Sequence, residues 1–318
     1  MSFLEFDCSD RTFEEIQIFA GFQDSNLEML NKCFKSVFMI RDQKIKVEVN
    51  DTLDTHKVED VIDACFSIID TQHRLNSQDV NYICSLAFKN RLKDFKSHQL
   101  QAVCKIKTGK MIYPKTIGQA ILCDAMRHNE IVFATGVAGT GKTYLAVAYA
   151  VNMLKSERVE KIILTRPAVE AGESLGFLPG DMKEKVDPYL RPLYDALNEM
   201  LGLETVEKYV EKQVIEIAPL AFMRGRTLND AVVILDEAQN ATCAQMKMFL
   251  TRMGKNCKMV VTGDVTQIDL IKKKDSGLMQ ACTILDHIDG ISIIHLENSD
   301  VVRNPLVQKI IERYAKVE

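Results

Sequence analysis

Short apolar runs alternate with segments of helical periodicity over residues 114–318. Six such runs cover residues 131–135, 161–165, 214–218, 232–235, 258–262 and 291–296. Runs that are apolar on both faces are typical of strands in a parallel sheet, because helices cover both sides of that sheet. The pattern therefore predicts an α/β domain built on a largely parallel sheet.

The first 88 residues show a different mixture of patterns. An apolar-rich stretch at 13–19 is followed by a turn and then by helical spacing. Two alternating, β-branched runs, 35–40 and 44–49, are joined by a short polar link, which favours a hairpin. Helical spacing returns over residues 61–69. We therefore predict a small β-α-β-β-α module, in which residues 13–19 form the first strand.

Charge is distributed unevenly along the chain. The formal net charge of −4 argues against a protein that coats nucleic acid through bulk charge. Residues 1–88 carry eight basic and sixteen acidic side chains, whereas residues 89–110 carry seven basic ones and one acid. Because residues 89–113 also lack strong periodicity, we predict a basic linker between an acidic module at 1–88 and a larger domain at 114–318.

Composition is ordinary for a globular protein, with 47% hydrophobic and 26% charged residues. The apolar runs are too short to cross a bilayer, and no basic region precedes an apolar stretch at the N-terminus. We therefore expect a cytoplasmic protein without a membrane partner. The nine cysteines include no CxxC pair, so we interpret them as reduced, mostly buried thiols without a chemical role.

The strongest chemical signal is GVAGTGKT at residues 136–143, which matches the P-loop pattern GxxxxGK[ST] between a predicted strand and a predicted helix. In this setting, backbone amides and the helix N-terminus bind phosphates. Lys142 can then reach the β- and γ-phosphates, and Thr143 can bind Mg²⁺. The predicted nucleotide-binding residues in and beside this loop are Gly136, Val137, Ala138, Gly139, Thr140, Gly141, Lys142, Thr143 and Tyr144.

Polar side chains at other strand ends extend this prediction. The apolar run before residue 236 ends in two acids, of which Asp236 would hold Mg²⁺ and Glu237 would orient and polarise the attacking water. Gln267 follows the next apolar run and is the candidate γ-phosphate sensor. Gln119, upstream of the first strand, is placed to hydrogen-bond adenine. The chain lacks an Asn-Lys-x-Asp guanine signature, so ATP is favoured over GTP.

Four motifs together resemble the PhoH-like ATPase family over residues 114–314. They are GVAGTGKTYLAVAYAV, TRPAVEAGESLGFLPGDMKEKVDPYLRPLYDAL, MRGRTLNDAVVILDEAQN and VTGDVTQIDL. The segment FAGFQDSNL in the first module also looks like that family's N-terminal region. The resemblance implies a cytoplasmic ATP-binding protein with a role in RNA metabolism. It also implies a RecA-like P-loop core similar to the first motor domain of superfamily 1 helicases. Asn304 departs from the histidine that the family pattern has there.

Chain length bears on the assembly of the site. Only about fifty residues follow Gln267, whereas a second motor domain needs ~150. An ATPase with one motor per chain usually completes its site with an arginine from a neighbouring copy. We expect Arg303 in this role, with Arg224 and Arg226 as alternatives. The protein is then a homo-oligomer, a hexameric ring by analogy.

Three places are open to single-stranded or structured RNA. They are the basic arm at 89–110, the loop after Arg166 and Pro167, and the segment 172–191, where Phe177 and Tyr189, with nearby Tyr194, offer stacking surfaces. The first module carries neither a KH-type loop nor an RRM aromatic signature, so we expect protein contacts there instead.

Two functions from different classes remain. The first is a Mg²⁺-dependent ATPase coupled to RNA binding or remodelling, in the manner of a helicase, with an RNA-processing protein as partner. The alternative is a nucleotide-gated protein-binding regulator that hydrolyses ATP slowly and incidentally. A metabolite kinase is a weaker third option, because the chain shows no acceptor-substrate signature.

Overall fold

The computed structural model describes residues 2–51, 53–97, 101–167 and 182–302, together with Arg313. The chain divides into two compact units, residues 1–100 and 101–318. None of the helices in these described ranges is long and apolar enough to cross a membrane.

The first unit packs helices against a small antiparallel sheet. Its strands are β1 (Phe3–Asp7), β2 (Phe38–Arg41) and β3 (Lys44–Glu48), in the order β1-β3-β2. Its helices are α1 (Phe13–Ala20), α2 (Ser25–Phe34), α3 (Thr55–Gln72), α4 (Ser77–Phe88) and α5 (Leu92–Ser97). Phe19, Leu30, Ile45, Ile69 and Ile83 are fully buried and form the centre of this unit's core.

Residues 13–19 belong to a helix, so their prediction as a strand was wrong. Thr12 and Glu15 form a capping box at the start of α1, which satisfies backbone N–H groups that a helix start leaves unpaired. Ile16 and Phe19, three residues apart, share the buried face of that helix. The hairpin prediction is confirmed, since β2 and β3 pair antiparallel.

The predicted linker, residues 89–113, contains regular structure that belongs to both units. Leu92 and Phe95 of α5 are buried within the first unit, and Phe95 lies edge-on to Tyr82 with 6.5 Å between ring centroids. In the second unit, β4 (Cys104–Lys105) and β5 (Met111–Ile112) form a short antiparallel pair. The apolar residues scattered among the lysines explain why this segment packs instead of remaining a free arm.

The second unit contains a six-stranded parallel sheet in the order β11-β6-β10-β9-β7-β8. Its strands are β6 (Ile131–Gly136), β7 (Lys161–Arg166), β8 (Ile215–Pro219), β9 (Ala231–Leu235), β10 (Cys257–Gly263) and β11 (Ile291–Leu296). Its helices are α6 (Ile117–His128), α7 (Lys142–Lys155), α8 (Met182–Leu201), α9 (Leu203–Glu211), α10 (Cys243–Leu250) and α11 (Gly277–Ile284). All six predicted strands and the α/β fold class are confirmed.

Helices cover both faces of this sheet. On β6, Val132 belongs to one apolar cluster and the next residue, Phe133, to the other, as alternation along a strand requires. Leu145 of α7 packs in the first cluster, and Phe249 of α10 packs in the second. Because the strands are parallel, their carboxyl ends meet at one edge of the sheet, where ligand sites of such folds lie.

Candidate functional site

A glycine-rich loop connects β6 to α7 at the carboxyl edge of the sheet. At Gly136 the backbone has φ +142°, and a Cβ atom would collide with the carbonyl oxygen of Leu296. Gly141 has φ +80° immediately before the first helical residue, Lys142. Only glycine fits both positions without strain. The loop thus lies in the strand-loop-helix setting that the sequence pattern predicts.

The ammonium group of Lys142 lies within the concavity of this loop and is nearly buried. It donates to the carbonyl oxygens of Gly136 and Val137 at 2.5 and 2.9 Å and to Thr140 Oγ1 at 3.2 Å. The Thr140 hydroxyl in turn donates to the Val137 carbonyl at 2.9 Å. The positive charge is therefore held where phosphate oxygens can replace the loop carbonyls.

Asp236, the first residue after β9, has a buried carboxylate that accepts hydrogen bonds from three other elements. Its Oδ1 accepts from Thr143 Oγ1 of α7 and from Thr262 Oγ1 of β10, each at 2.6 Å. Its Oδ2 accepts from Nε of Arg166 at 2.8 Å and also from Nη2 of that guanidinium. A buried carboxylate needs such compensation, because removing an unpaired charge from water is costly.

The oxygen atoms around Asp236 suit a hard divalent cation such as Mg²⁺. Thr143 and Asp236 present a hydroxyl and a carboxylate next to each other, as the sequence prediction requires. Asp264, the first residue after β10, lies at the same edge of the sheet, and its buried Oδ2 has no hydrogen-bond partner among the residues that the structure describes. An unpartnered carboxylate oxygen is an acceptor for a water molecule of a hydrated metal ion.

A second polar network starts at Glu237. This residue has φ +53°, and its Oε2 accepts a hydrogen bond from Nε2 of the buried Gln239 at 2.7 Å. Oε1 of Gln239 accepts from the main-chain N–H of Asp264 at 3.0 Å. The N–H of Gln267 donates to the Asp264 carbonyl at 3.0 Å, and Ser276 Oγ donates to the Gln239 carbonyl. One amide side chain thus links the acid after β9 to the loop after β10.

One cavity of about 280 Å³ brings most of the predicted site residues together. It is lined by Ala138, Gly139, Gly141, Lys142, Thr143, Tyr144, Asp236, Glu237, Gly263, Asp264 and Gln267. Tyr144 donates its hydroxyl to Glu199 Oε1 of α8 at 2.8 Å. Burial, and then this bond to Glu199, raise the pKa of Tyr144, so the phenol stays protonated.

Gln119 lies against the glycine-rich loop and not in that cavity. Its Oε1 accepts from the N–H of Lys115 at 2.7 Å, and its Nε2 donates to the Thr140 carbonyl at 2.9 Å. The side chain is buried, and both ends of its amide are in use. In this arrangement Gln119 braces the loop, and contact with adenine would require it to give up these bonds.

The predicted arginines occupy different settings. Arg226 forms a two-pronged ion pair with Glu216 at 2.6 and 2.7 Å. The side chain of Arg224 is exposed and makes no hydrogen bond or ion pair with residues in the described ranges. Arg303 lies outside the described residues, as do Asn304 and residues 172–181, the first half of the predicted RNA segment 172–191.

Sequence reasoning missed four of the polar groups that organise this site. Arg166 was assigned only to a loop for RNA, whereas it contacts Asp236. Thr262, Gln239 and Asp264 had no assigned role, although each lies at or just beyond the end of a buried strand. That shared position is the signal that could have found them.

Comparison with known proteins places the chain in a family. The family model described as PhoH-like protein matches residues 111–315. A PhoH-like protein of Bacillus subtilis (strain 168) is 53% identical over 304 residues, covering 95% of this chain and 94% of the relative. One of Mycobacterium leprae (strain TN) is 47% identical over 298 residues, covering 94% and 85%.

Among solved structures, the Sulfolobus solfataricus SWI2/SNF2 ATPase core in complex with dsDNA is similar with a TM-score of 0.38 and 12% identity. That match covers 63% of this chain and 47% of the other. The family match spans more than half of this chain, and the B. subtilis relative is matched over nearly its full length. The chain therefore belongs to the PhoH-like protein family.

Proposed function

We propose that this protein is a Mg²⁺-dependent ATPase whose hydrolysis is coupled to the binding or remodelling of RNA. One observation carries the ATPase part: the hydroxyl of Thr143 contacts the carboxylate of Asp236 at the mouth of the glycine-rich loop. Glu237 and Gln267 line the same cavity. This is the arrangement that phosphoryl transfer to water needs, since phosphate binding, metal binding and water activation converge.

Each residue then has a defined task. Lys142 exchanges its loop carbonyls for phosphate oxygens of ATP, and the loop amides bind the remaining oxygens. Thr143 and Asp236 would hold Mg²⁺, which when bound neutralises the charge that develops on the phosphates. Glu237 orients the attacking water and accepts its proton, while Gln267 senses the γ-phosphate.

The RNA part of the proposal is supported by the loop that follows Gln267. Residues 272–274 are three consecutive, exposed lysines, which suit contact with a phosphate backbone. Asp269 anchors this loop to Asn240 through two hydrogen bonds, of 2.9 and 3.0 Å. A movement of Glu237 or Gln267 on hydrolysis can thus shift these lysines through the short loop that Asn240 anchors.

One observation favours the regulator as a second candidate. Arg166 bonds the carboxylate that would hold the metal, so this form of the site is not set for hydrolysis. A protein that changes between this form and a nucleotide-bound form could control a partner protein while it hydrolyses little ATP.

The deciding experiment is steady-state ATPase activity with and without single-stranded RNA. We expect RNA to raise the wild-type rate. Glu237→Gln should bind a fluorescent ATP analogue normally but lose ~10²- to 10⁴-fold in rate, because the base is removed. Lys142→Ala should not bind the analogue. If RNA changes neither rate nor affinity, the RNA part fails and the regulator gains, whereas an active Glu237→Gln chain contradicts the assigned mechanism.

Arg166→Gln should lower the Mg²⁺ concentration needed for nucleotide binding by about tenfold or more. The reason is that a charge-assisted competitor for Asp236 is removed, and such bonds are worth ~1.5–3 kcal/mol. Binding of the fluorescent analogue is measured against Mg²⁺ concentration. Arg226→Gln, whose partner is Glu216, is the matched control and should leave the requirement unchanged. An unchanged or higher requirement in Arg166→Gln would refute competition between the arginine and the metal.

Gln239→Met should lower kcat ~10- to 100-fold, the range known for residues that orient others at metal sites, with KM for ATP nearly unchanged. The substitution keeps the side-chain length but releases Glu237 from its bond and Asp264 from its acceptor. Gln280→Met, on an exposed face of α11, serves as the control. A rise in KM without loss of kcat would show that Gln239 supports binding and not the position of Glu237.

We also propose a homo-oligomer in which a neighbouring copy supplies an arginine. Arg224 supports this, since its side chain is exposed and unpaired within the described ranges, whereas Arg226 is held by Glu216. Chains with Glu237→Gln and chains with Arg224→Ala should each be nearly inactive. A 1:1 mixture should recover about a quarter of the wild-type rate, because some interfaces then combine two intact residues. The same mixing with Arg303→Ala tests the other candidate, and no recovery with either would refute the shared site.

A further inference from the structure

A second cavity, of about 260 Å³, lies at the amino edge of the sheet, between α6 and α7. Arg127 of α6 and Arg158, which precedes β7, line it together with Tyr149 and Asn152 of α7. Helix α7 starts at the glycine-rich loop and ends beside this cavity. A helix of 14 residues is about 21 Å long, so a ligand here would not touch a nucleotide on the loop.

Positive charge gathers around Tyr149 in this cavity. Neither Arg127 nor Arg158 forms a side-chain hydrogen bond or an ion pair with residues that the structure describes. Both guanidinium groups are close enough to act on the phenol, and they oppose the rise in the pKa of Tyr149 that burial causes. The ammonium of Lys258 lies 5.5 Å from the centre of the same ring, where it donates to the carbonyl oxygens of Met126 and Arg127.

The energetics of this cluster favour an anion. Burial lowers the pKa of Lys258, and Arg158 acts in the same direction. The carboxylate of Glu130 offsets this lowering of the Lys258 pKa in part. Like charges that share a site destabilise each other, and a bound anion removes that cost.

The donor set points to one class of anion. The guanidinium forks of Arg127 and Arg158 match oxygen pairs on phosphate, and the hydroxyl of Tyr149 and the amide of Asn152 add neutral donors. A phosphoryl group offers enough acceptor oxygens for all four. Ser156 also borders the cavity, but its hydroxyl donates to the Asn152 carbonyl at 2.8 Å.

We propose that this cavity is a second phosphoryl-binding site, separate from the glycine-rich loop. Its ligand is a free phosphorylated molecule or a phosphate of a nucleic acid backbone. The second source is consistent with the exposed lysines 105 and 155, which lie within two residues of the cavity-lining residues Val103 and Ser156 along the chain. Phosphoryl binding at this site does not require ATP hydrolysis, so its test is independent of the proposed ATPase activity.

Inorganic phosphate is the first probe, used on the full chain carrying Lys142→Ala so that the loop does not compete. Phosphate should raise the Tm of this chain, because a ligand that binds only the folded state stabilises it. Adding Arg127→Gln and Arg158→Gln should raise the phosphate concentration needed for a half-maximal rise in Tm at least tenfold for each arginine removed. The control is Lys208→Gln with Lys255→Gln, which removes the same charge at exposed positions elsewhere and should leave the phosphate-dependent rise in Tm unchanged.

A fluorescein-labelled oligouridylate distinguishes the two sources, with binding followed by anisotropy at several salt concentrations. If replacing Arg127 and Arg158 lowers the affinity for the oligonucleotide and also makes that affinity less dependent on salt concentration, the ligand is a nucleic acid phosphate. If it abolishes only the phosphate effect, the ligand is a free phosphorylated molecule. The proposal is overturned if phosphate does not raise Tm in the Lys142→Ala chain, or raises it equally after the arginines are replaced.

Discussion

The buried carboxylate of Asp236 accepts hydrogen bonds from α7, β10 and β7, and the geometry of the site depends on these bonds. Thr143 fixes the start of α7, and with it the glycine-rich loop. Thr262 fixes the end of β10, and Arg166 fixes the end of β7. A charge in this position would destabilise the fold if any donor were lost without replacement. The same group therefore holds the strand ends together and, in the function that we propose, would provide oxygen atoms for a metal.

The order of strands makes this convergence possible. β9 lies between β10 and β7, and β10 lies beside β6, so residues far apart in sequence meet at one edge. Glu237 follows directly on β9 and is held by Gln239, which also binds the loop after β10. The two networks therefore share β9. A shift of Asp236 on metal binding would reach Glu237 through one peptide unit, and in the proposed function this would join nucleotide binding to water activation.

The large features of the fold could be predicted because burial on both faces leaves a strong apolar signal in each strand. Residues 13–19 were misassigned because a short apolar run fits helix and strand alike, and the capping pair Thr12 and Glu15 was the better guide. The glycine-rich loop motif and the two acids Asp236 and Glu237 could also be recognised in the sequence. The bond from Arg166 was not, since it depends on the register of Thr165 against Leu235, which sequence alone does not contain.

The central claim is that Thr143 and Asp236 form the metal site and that Arg166 leaves Asp236 when the metal binds. A crystal structure with Mn²⁺ and a non-hydrolysable ATP analogue tests it directly, because the anomalous signal of Mn²⁺ locates the ion. We predict a peak beside Thr143 and Asp236, with the guanidinium of Arg166 displaced from Oδ2. A peak away from this pair, or an Arg166 still bonded to Oδ2 in the loaded site, would contradict the account.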